Sequence, residues 1–203
     1  MPKITAVSQQ VKRQDRYSIF VDGEYTLSLS AAQLIESAIA TGDELEARRI
    51  VELVELSGYG KMLDRAYNYL SYRPRSSKEV KDYLAKKGCD QPTISKIIAA
   101  LQEQKLLDDK NFAEIWISER RQFQLKSRRQ LEYELRQKGI EKAVIDASLS
   151  EIPNDDTSTI KELIERKSLI NKYGSREKLI KYLVSKGFSY NDIRAALEQL
   201  EVL

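Results

Sequence analysis

The sequence has no histidine and a single cysteine, Cys89, and these two absences remove whole classes of function. One thiol cannot form an internal disulfide, and without imidazole the usual zinc sites cannot be assembled. Ser-His-Asp and Cys-His catalysis are excluded, and the commonest near-neutral general base is missing. Glycine and proline are scarce, 8 and 4 of 203 residues, and 32% of the chain is charged, which suits a soluble helical protein better than a loop-rich one. No hydrophobic run approaches the roughly 18 residues needed to cross a bilayer, and the N-terminal MPKITAVSQQ carries no apolar signal segment. The expectation is a cytoplasmic, non-enzymatic binding protein with no cofactor and no metal.

What is present is unevenly placed. Residues 1 to 60 hold 6 basic and 9 acidic residues, residues 61 to 150 hold 19 and 13, and residues 151 to 203 hold 9 and 9. The basic excess therefore lies in the middle of the chain. The first 30 residues carry β-branched residues and Tyr in short alternating runs. Ile4 to Val11 and Tyr17 to Val21 read as strands, and Asp22-Gly23 before Glu24 to Leu27 is a two-residue hairpin signal. Ser30 should cap a short helix through Ala38, and Gly42-Asp43 should open a second helix ending near Ser57-Gly58.

From Lys61 the period becomes helical, and superposing the three Lys-Gly pairs exposes an internal repeat. Lys87-Gly88, Lys138-Gly139 and Lys186-Gly187 are preceded at equal distances by Leu84, Leu135 and Leu183, by Val80, Leu131 and Leu179, and by Ser76, Ser127 and Ser175. After each glycine come Ile94, Ile145 and Ile193, then Ile98, Leu149 and Leu197. The Ser should cap a helix, the apolar pair should share one face, and the Gly should end the helix left-handed with Lys at the negative end of its dipole. An amphipathic helix precedes each unit, marked by Leu63, Ala66 and Tyr67, by Phe112, Ile115, Trp116 and Phe123, and by Ile160, Leu163 and Ile164. The reading is a mainly α protein: an N-terminal β-hairpin and helices over 1–60, then three-helix repeats over 61–108, 109–153 and 154–203. Such units would stack in an elongated array, a binder by default.

Four motifs invite chemistry. Asp108-Asp109 could serve a hard cation, but both precede a helix, as Asp155-Asp156 do in the third unit, and capping explains them better. Gly58-Tyr59-Gly60-Lys61 lacks the Ser/Thr of a phosphate loop, with Met62 in its place, and reads as an interhelix turn. The tyrosines around the repeats are expected to be packing residues rather than base-stacking platforms. The basic residues Arg120, Arg121, Lys126, Arg128 and Arg129, with Arg73 and Arg75 flanking Pro74, are the best binding candidates, followed by Lys87, Lys138 and Lys186. A solvated helix face is the competing reading, because Glu114, Glu119, Glu132 and Glu134 dilute the charge.

The stretches YLSYRPRSSKEVKDYLAKKG (69–88), LLDDKNFAEIWISERR (106–121) and SRRQLEYELRQKG (127–139) resemble the RecX family. The most specific element is Leu-Asp-Asp-x2-Phe-Ala-x2-Trp at Leu107 to Trp116, followed by Arg120; the resemblance covers about residues 61 to 200. It implies tandem three-helix repeats and a regulator that binds RecA recombinase filaments and inhibits ATP hydrolysis, strand exchange and filament growth, tuning recombination, DNA repair and the SOS response. It carries over no catalytic residue. The expected partner is the RecA filament, with weak contact to single- or double-stranded DNA compatible with the charge; no membrane partner is expected, and the chain should be a monomer. A direct DNA-binding helical-repeat protein is the alternative, since a capped helix, Gly turn and second helix share helix-turn-helix spacing. Against it, Thr93 to Leu101 carries only Lys96, and Ile145 to Ile152 carries no basic residue.

Overall fold

The computed structural model describes residues 1–153 and 156–200. Its contacts fall into two compact units, residues 1–73 with 83–101, and residues 74–82 with 102–203. In the first unit, β1 (Ile4–Gln9), β2 (Arg16–Val21) and β3 (Glu24–Ser30) form an antiparallel sheet in sequential order. Asp22-Gly23 makes the β2–β3 turn with both residues at positive φ. Alternation puts Ile4, Ile19, Leu27 and Leu29 into one core with Leu53 of α2 (Ala47–Leu70).

Ser30 ends β3 and caps α1 (Ala31–Ser37): its hydroxyl accepts from Gln33 N, and its own N–H donates to the Gln33 side chain, a complete capping box. The second helix departs from expectation at both ends. It starts at Ala47, not at Gly42-Asp43, because residues 40–46 are a turn bridged to Lys3 at Glu44. It then runs without interruption through Gly58-Tyr59-Gly60-Lys61, so the expected interhelix turn is corrected to helix interior. The reason is tertiary. A Cβ on Gly60 would lie 2.6 Å from the Gln33 amide, and that amide donates to Leu56 O; the glycine admits α1 against α2 rather than bending the chain. Ser57, expected at a helix end, accepts from Ser28 N and donates to Ser28 O, satisfying polar groups of β3.

The repeats follow as α3 (Ser77–Lys86) and α4 (Gln91–Glu103), then α5 (Asp109–Gln124), α6 (Arg128–Gln137) and α7 (Lys142–Ser150), then α8 (Asp156–Arg166), α9 (Leu169–Tyr173), α10 (Arg176–Ser185) and α11 (Tyr190–Gln199). The three glycines end their helices at φ +80, +76 and +82. The following residues, Cys89, Ile140 and Phe188, return their N–H to Leu84, Leu135 and Leu183, which satisfies carbonyls the helices leave open. In the second unit Phe112, Ile117, Leu131, Leu135, Ile145 and Leu149 form one core, and Ile160, Leu163, Leu179, Leu183, Ile193 and Leu197 form another. The last repeat departs from three helices: Ser168 at φ +46 breaks the run after α8, and the short α9 is inserted before α10.

Candidate partner-binding surface

The repeated serines do more than cap. Ser76 Oγ accepts from Glu79 N at 3.2 Å and donates to Lys138 O at 2.7 Å; Ser127 Oγ accepts from Gln130 N at 3.2 Å and donates to Lys186 O at 2.7 Å. Each hydroxyl thus closes its own helix and ties it to the Lys-Gly turn of the following repeat. The first N–H of each of these helices is also claimed by the next repeat: Ser77 N donates to Asp109 Oδ1 at 2.7 Å, and Arg128 N to Asp156 Oδ2 at 3.1 Å. The acids at helix starts therefore divide their work. Asp108 caps α5 by accepting from Lys110 N and Asn111 N, while Asp109 and Asp156 reach across the joint. Asp155 lies outside the described residues. Among the described residues no group of three His, Cys, Asp or Glu side chains is placed to hold a metal ion.

A plug completes the second joint. Leu125, two residues before Ser127, is left-handed at φ +52, yet its side chain is only 5% exposed and packs in the core of the third repeat. A left-handed conformation costs a leucine on the order of 1 kcal/mol, and burial of the side chain at roughly 2 kcal/mol offsets it. Asp156 sits half-buried at the same joint with Arg121 Nη1 at 3.4 Å. Burial pushes its carboxyl above the usual carboxylate range, opposed by the Arg128 N–H and by Arg121.

Trp116 gathers two residues of the basic run, Arg120 directly and Lys126 through Glu134, together with Lys138. Its ring stacks on Phe112 at 5.6 Å, Arg120 lies over it at 4.0 Å and Lys138 at 4.9 Å. Its Nε1 donates to Glu134 Oε2 at 3.0 Å, and Glu134 also pairs with Lys126 and, at 3.5 Å, with Arg120. Lys138 pairs with Glu79 at 2.7 Å. Arg121 reaches Thr159 Oγ1 at 2.9 Å, and Arg128 donates to Leu149 O at 2.8 Å, a carbonyl in the last turn of α7. Arg120, Arg121, Lys126, Arg128 and Lys138 are therefore engaged within the molecule. Arg73 is exposed, Arg75 half-buried, and each has a partner. Lys87 and Lys186 lie over Tyr83 and Tyr182 at 5.6 and 5.4 Å.

Arg129 is different. It is exposed on α6, one turn before Tyr133, whose side chain is 64% exposed; the i, i+4 spacing sets both on one face. Phe123, expected in the apolar stripe of α5, is instead 69% exposed. Tyr133 and Tyr72 are among the tyrosines expected to pack, and that expectation is corrected for both, since each is exposed where the apolar stripe of its segment does not reach it. The most specific stretch of the sequence proves architectural: Leu107 and Phe112 are buried, Asp108 caps, Asp109 joins repeats and Trp116 gathers cations.

Three RecX domain models match the chain. Residues 2–46 match the regulatory protein RecX N-terminal domain, 63–101 the RecX first three-helix domain, and 108–149 the second. The regulatory protein RecX of Bacillus subtilis (strain 168) is 34% identical over 99% of this chain and 78% of its own length. That of Bacillus pumilus (strain SAFR-032) is 37% identical over 98% and 78%. A crystal structure of regulatory protein RecX superposes with a TM-score of 0.80 at 27% identity, covering 98% of this chain and all of the other. A crystal structure of RecX from Lactobacillus salivarius covers 71% of this chain and 97% of the other, with a TM-score of 0.64 at 30% identity. With three RecX domain models matched and nearly the whole chain aligned to regulatory RecX proteins, the chain belongs to the RecX family of regulatory proteins.

Proposed function

We propose that the chain binds the RecA recombinase filament and restrains its ATP hydrolysis, strand exchange and growth, without catalysis of its own. The observation that supports this reading is near-full-length similarity to regulatory RecX proteins. A cytoplasmic location follows from that partner. For the contact we favour one helix face. Cations already bound within the molecule have little to offer a partner, whereas Arg129 and Tyr133 present a charge and an aromatic ring on one exposed helix face, the residue types enriched where binding energy concentrates.

The test adds the purified chain to RecA assembled on single-stranded DNA with ATP and follows hydrolysis and filament length. The wild type should suppress both. Arg129→Glu with Tyr133→Ala should weaken filament binding at least about tenfold, or roughly 1.4 kcal/mol, and lower the salt dependence. Wild-type failure to affect hydrolysis or length would overturn the function; unchanged binding by the variant would remove only the α6 face. An equal loss of affinity for bare DNA would favour direct DNA binding.

A further inference from the structure

The joint occurs twice within the chain, and the described residues leave one half of it open at each of two places. Ser175 caps α10, accepting from Lys178 N at 3.4 Å, as Ser76 and Ser127 cap theirs, but its hydroxyl donates to no described acceptor. The Lys87-Gly88 turn has the backbone of the other two turns, yet no described hydroxyl donates to Lys87 O. Packing at the glycines shows the same difference. A Cβ on Gly139 would meet the Lys78 side chain at 2.6 Å, and one on Gly187 would meet Ser127 Oγ at 2.8 Å, whereas one on Gly88 meets nothing within 4 Å. One donor half and one acceptor half thus stand unmatched.

The space at the acceptor half suits what the donor half presents. Gly88, Cys89 and Asp90 line a cleft of about 820 Å³ whose other wall is Glu52, Glu55 and Tyr59 of α2. Of its three acids, Glu52 pairs with Arg48 and Arg49 and Asp90 accepts from Thr93 N, so Glu55 is the carboxylate it offers, with Lys96 the one cation in its lining. The start of α10 brings the positive end of a helix dipole and Lys178, three residues after Ser175, alongside the acidic Glu177. In the two filled joints the residue two after the serine, Lys78 or Arg129, lies against the partner glycine; the corresponding residue here is Glu177.

We propose that the two open halves join between copies of this chain: the Ser175 start of α10 in one molecule docks in the cleft at Lys87-Gly88 of another, with the Ser175 hydroxyl on Lys87 O. The contact is heterologous, so it closes into rings or continues head to tail. One hydroxyl and a helix end are a small interface, so the copies separate when dilute and meet when held close together. This inference is independent of the RecA reading.

The test places one cysteine at each half, Lys87→Cys and Glu177→Cys in a Cys89→Ser background, and adds a short bismaleimide. Both positions are exposed in the monomer. Trimers and longer species should form at least tenfold faster than in a control pairing Glu177→Cys with Glu36→Cys. Ser175→Asp in the crosslinking background keeps a capping acceptor but cannot donate to Lys87 O, and it should slow the ladder about tenfold; Ser175→Thr should preserve it. A ladder no faster than the control, or one indifferent to Ser175→Asp, overturns the proposal.

Discussion

The N-terminal sheet and the repeats both fasten neighbouring elements through polar groups, but they do so in different currencies. In the first unit the fastenings are all different: a buried ion pair of Arg16 with Asp64 stands beside separate contacts from Ser57 and Gln33 to backbone groups, and none of them recurs. Arg16, only 2% exposed, donates to Asp64 Oδ2 at 2.6 Å and to Ser28 O at 2.7 Å, and Arg13 joins Asp64 at 3.0 Å. In the second unit the fastening runs from a side chain to backbone and occurs twice, through Ser to a Lys carbonyl and Asp to a first-turn N–H. A backbone group is present whatever the residue, so the second kind of contact asks for one residue type at one position and recurs as a pattern. The pair of Arg16 with Asp64 needs two matched partners and leaves no pattern.

The largest effect should come from the buried ion pair. Arg16→Ala removes a buried guanidinium with its bonds to Asp64 and Ser28 O and leaves Asp64 with Arg13 alone, a loss on the order of 3 kcal/mol; a denaturant melt should show it, and a loss below about 1 kcal/mol would mean that Arg13 and solvent replace the guanidinium. Next comes the plug. Leu125→Ala should cost about 2–4 kcal/mol, whereas Leu125→Gly should be nearly as stable as the alanine variant or better, because glycine is at ease in the left-handed conformation. If glycine is clearly worse, the strain at Leu125 is not being stored as described.

Ser127 offers a finer cut. Ser127→Thr should be nearly neutral, Ser127→Ala should lose about 1 kcal/mol of capping, and Ser127→Asp should retain the cap while setting a carboxylate against Lys186 O. An Asp variant as stable as wild type would dissociate cap from joint. A similar contrast applies to the neighbouring arginines. Arg128→Glu loses its bond to Leu149 O and should lower the melt by about 1 kcal/mol, while Arg129→Glu should leave it unchanged.

The smallest effect is a pH dependence at the second joint. The folded carboxyl of Asp156 lies above its unfolded value, so the folded state holds that proton more firmly. Its contribution is fully present below the unfolded value and declines as pH rises through the raised one. The stability difference between wild type and Asp156→Asn should therefore move toward the variant from acid to neutral pH; movement the other way would show that the Arg121 and Arg128 contacts outweigh burial.

This contrast also explains what could be read in advance. The serines, the Lys-Gly turns and the apolar rows are backbone devices, and the repeat spacing exposed them directly. Gly60 could not be assigned, because a glycine that admits Gln33 looks the same in sequence as one that makes a turn. Arg16, one residue before the run Tyr17 to Val21, carries no sign of burial in the sequence, since its partner is 48 residues away. The basic run was visible as charge, but only the folded neighbours separate Arg129 from Arg120, Arg121 and Arg128. The joint at Ser76 and Ser127 lay in plain view as a cap, with nothing to say that the hydroxyl had a second task.

That second task bears on how such a gene can change length. A segment of about fifty residues brings its own donor serine and its own acceptor turn, so a tandem duplication in frame supplies both halves of a new joint without any compensating mutation. Lineages can in this way gain or shed whole units in one genetic event, and selection then acts on a protein whose reach has altered but whose seams are already sound.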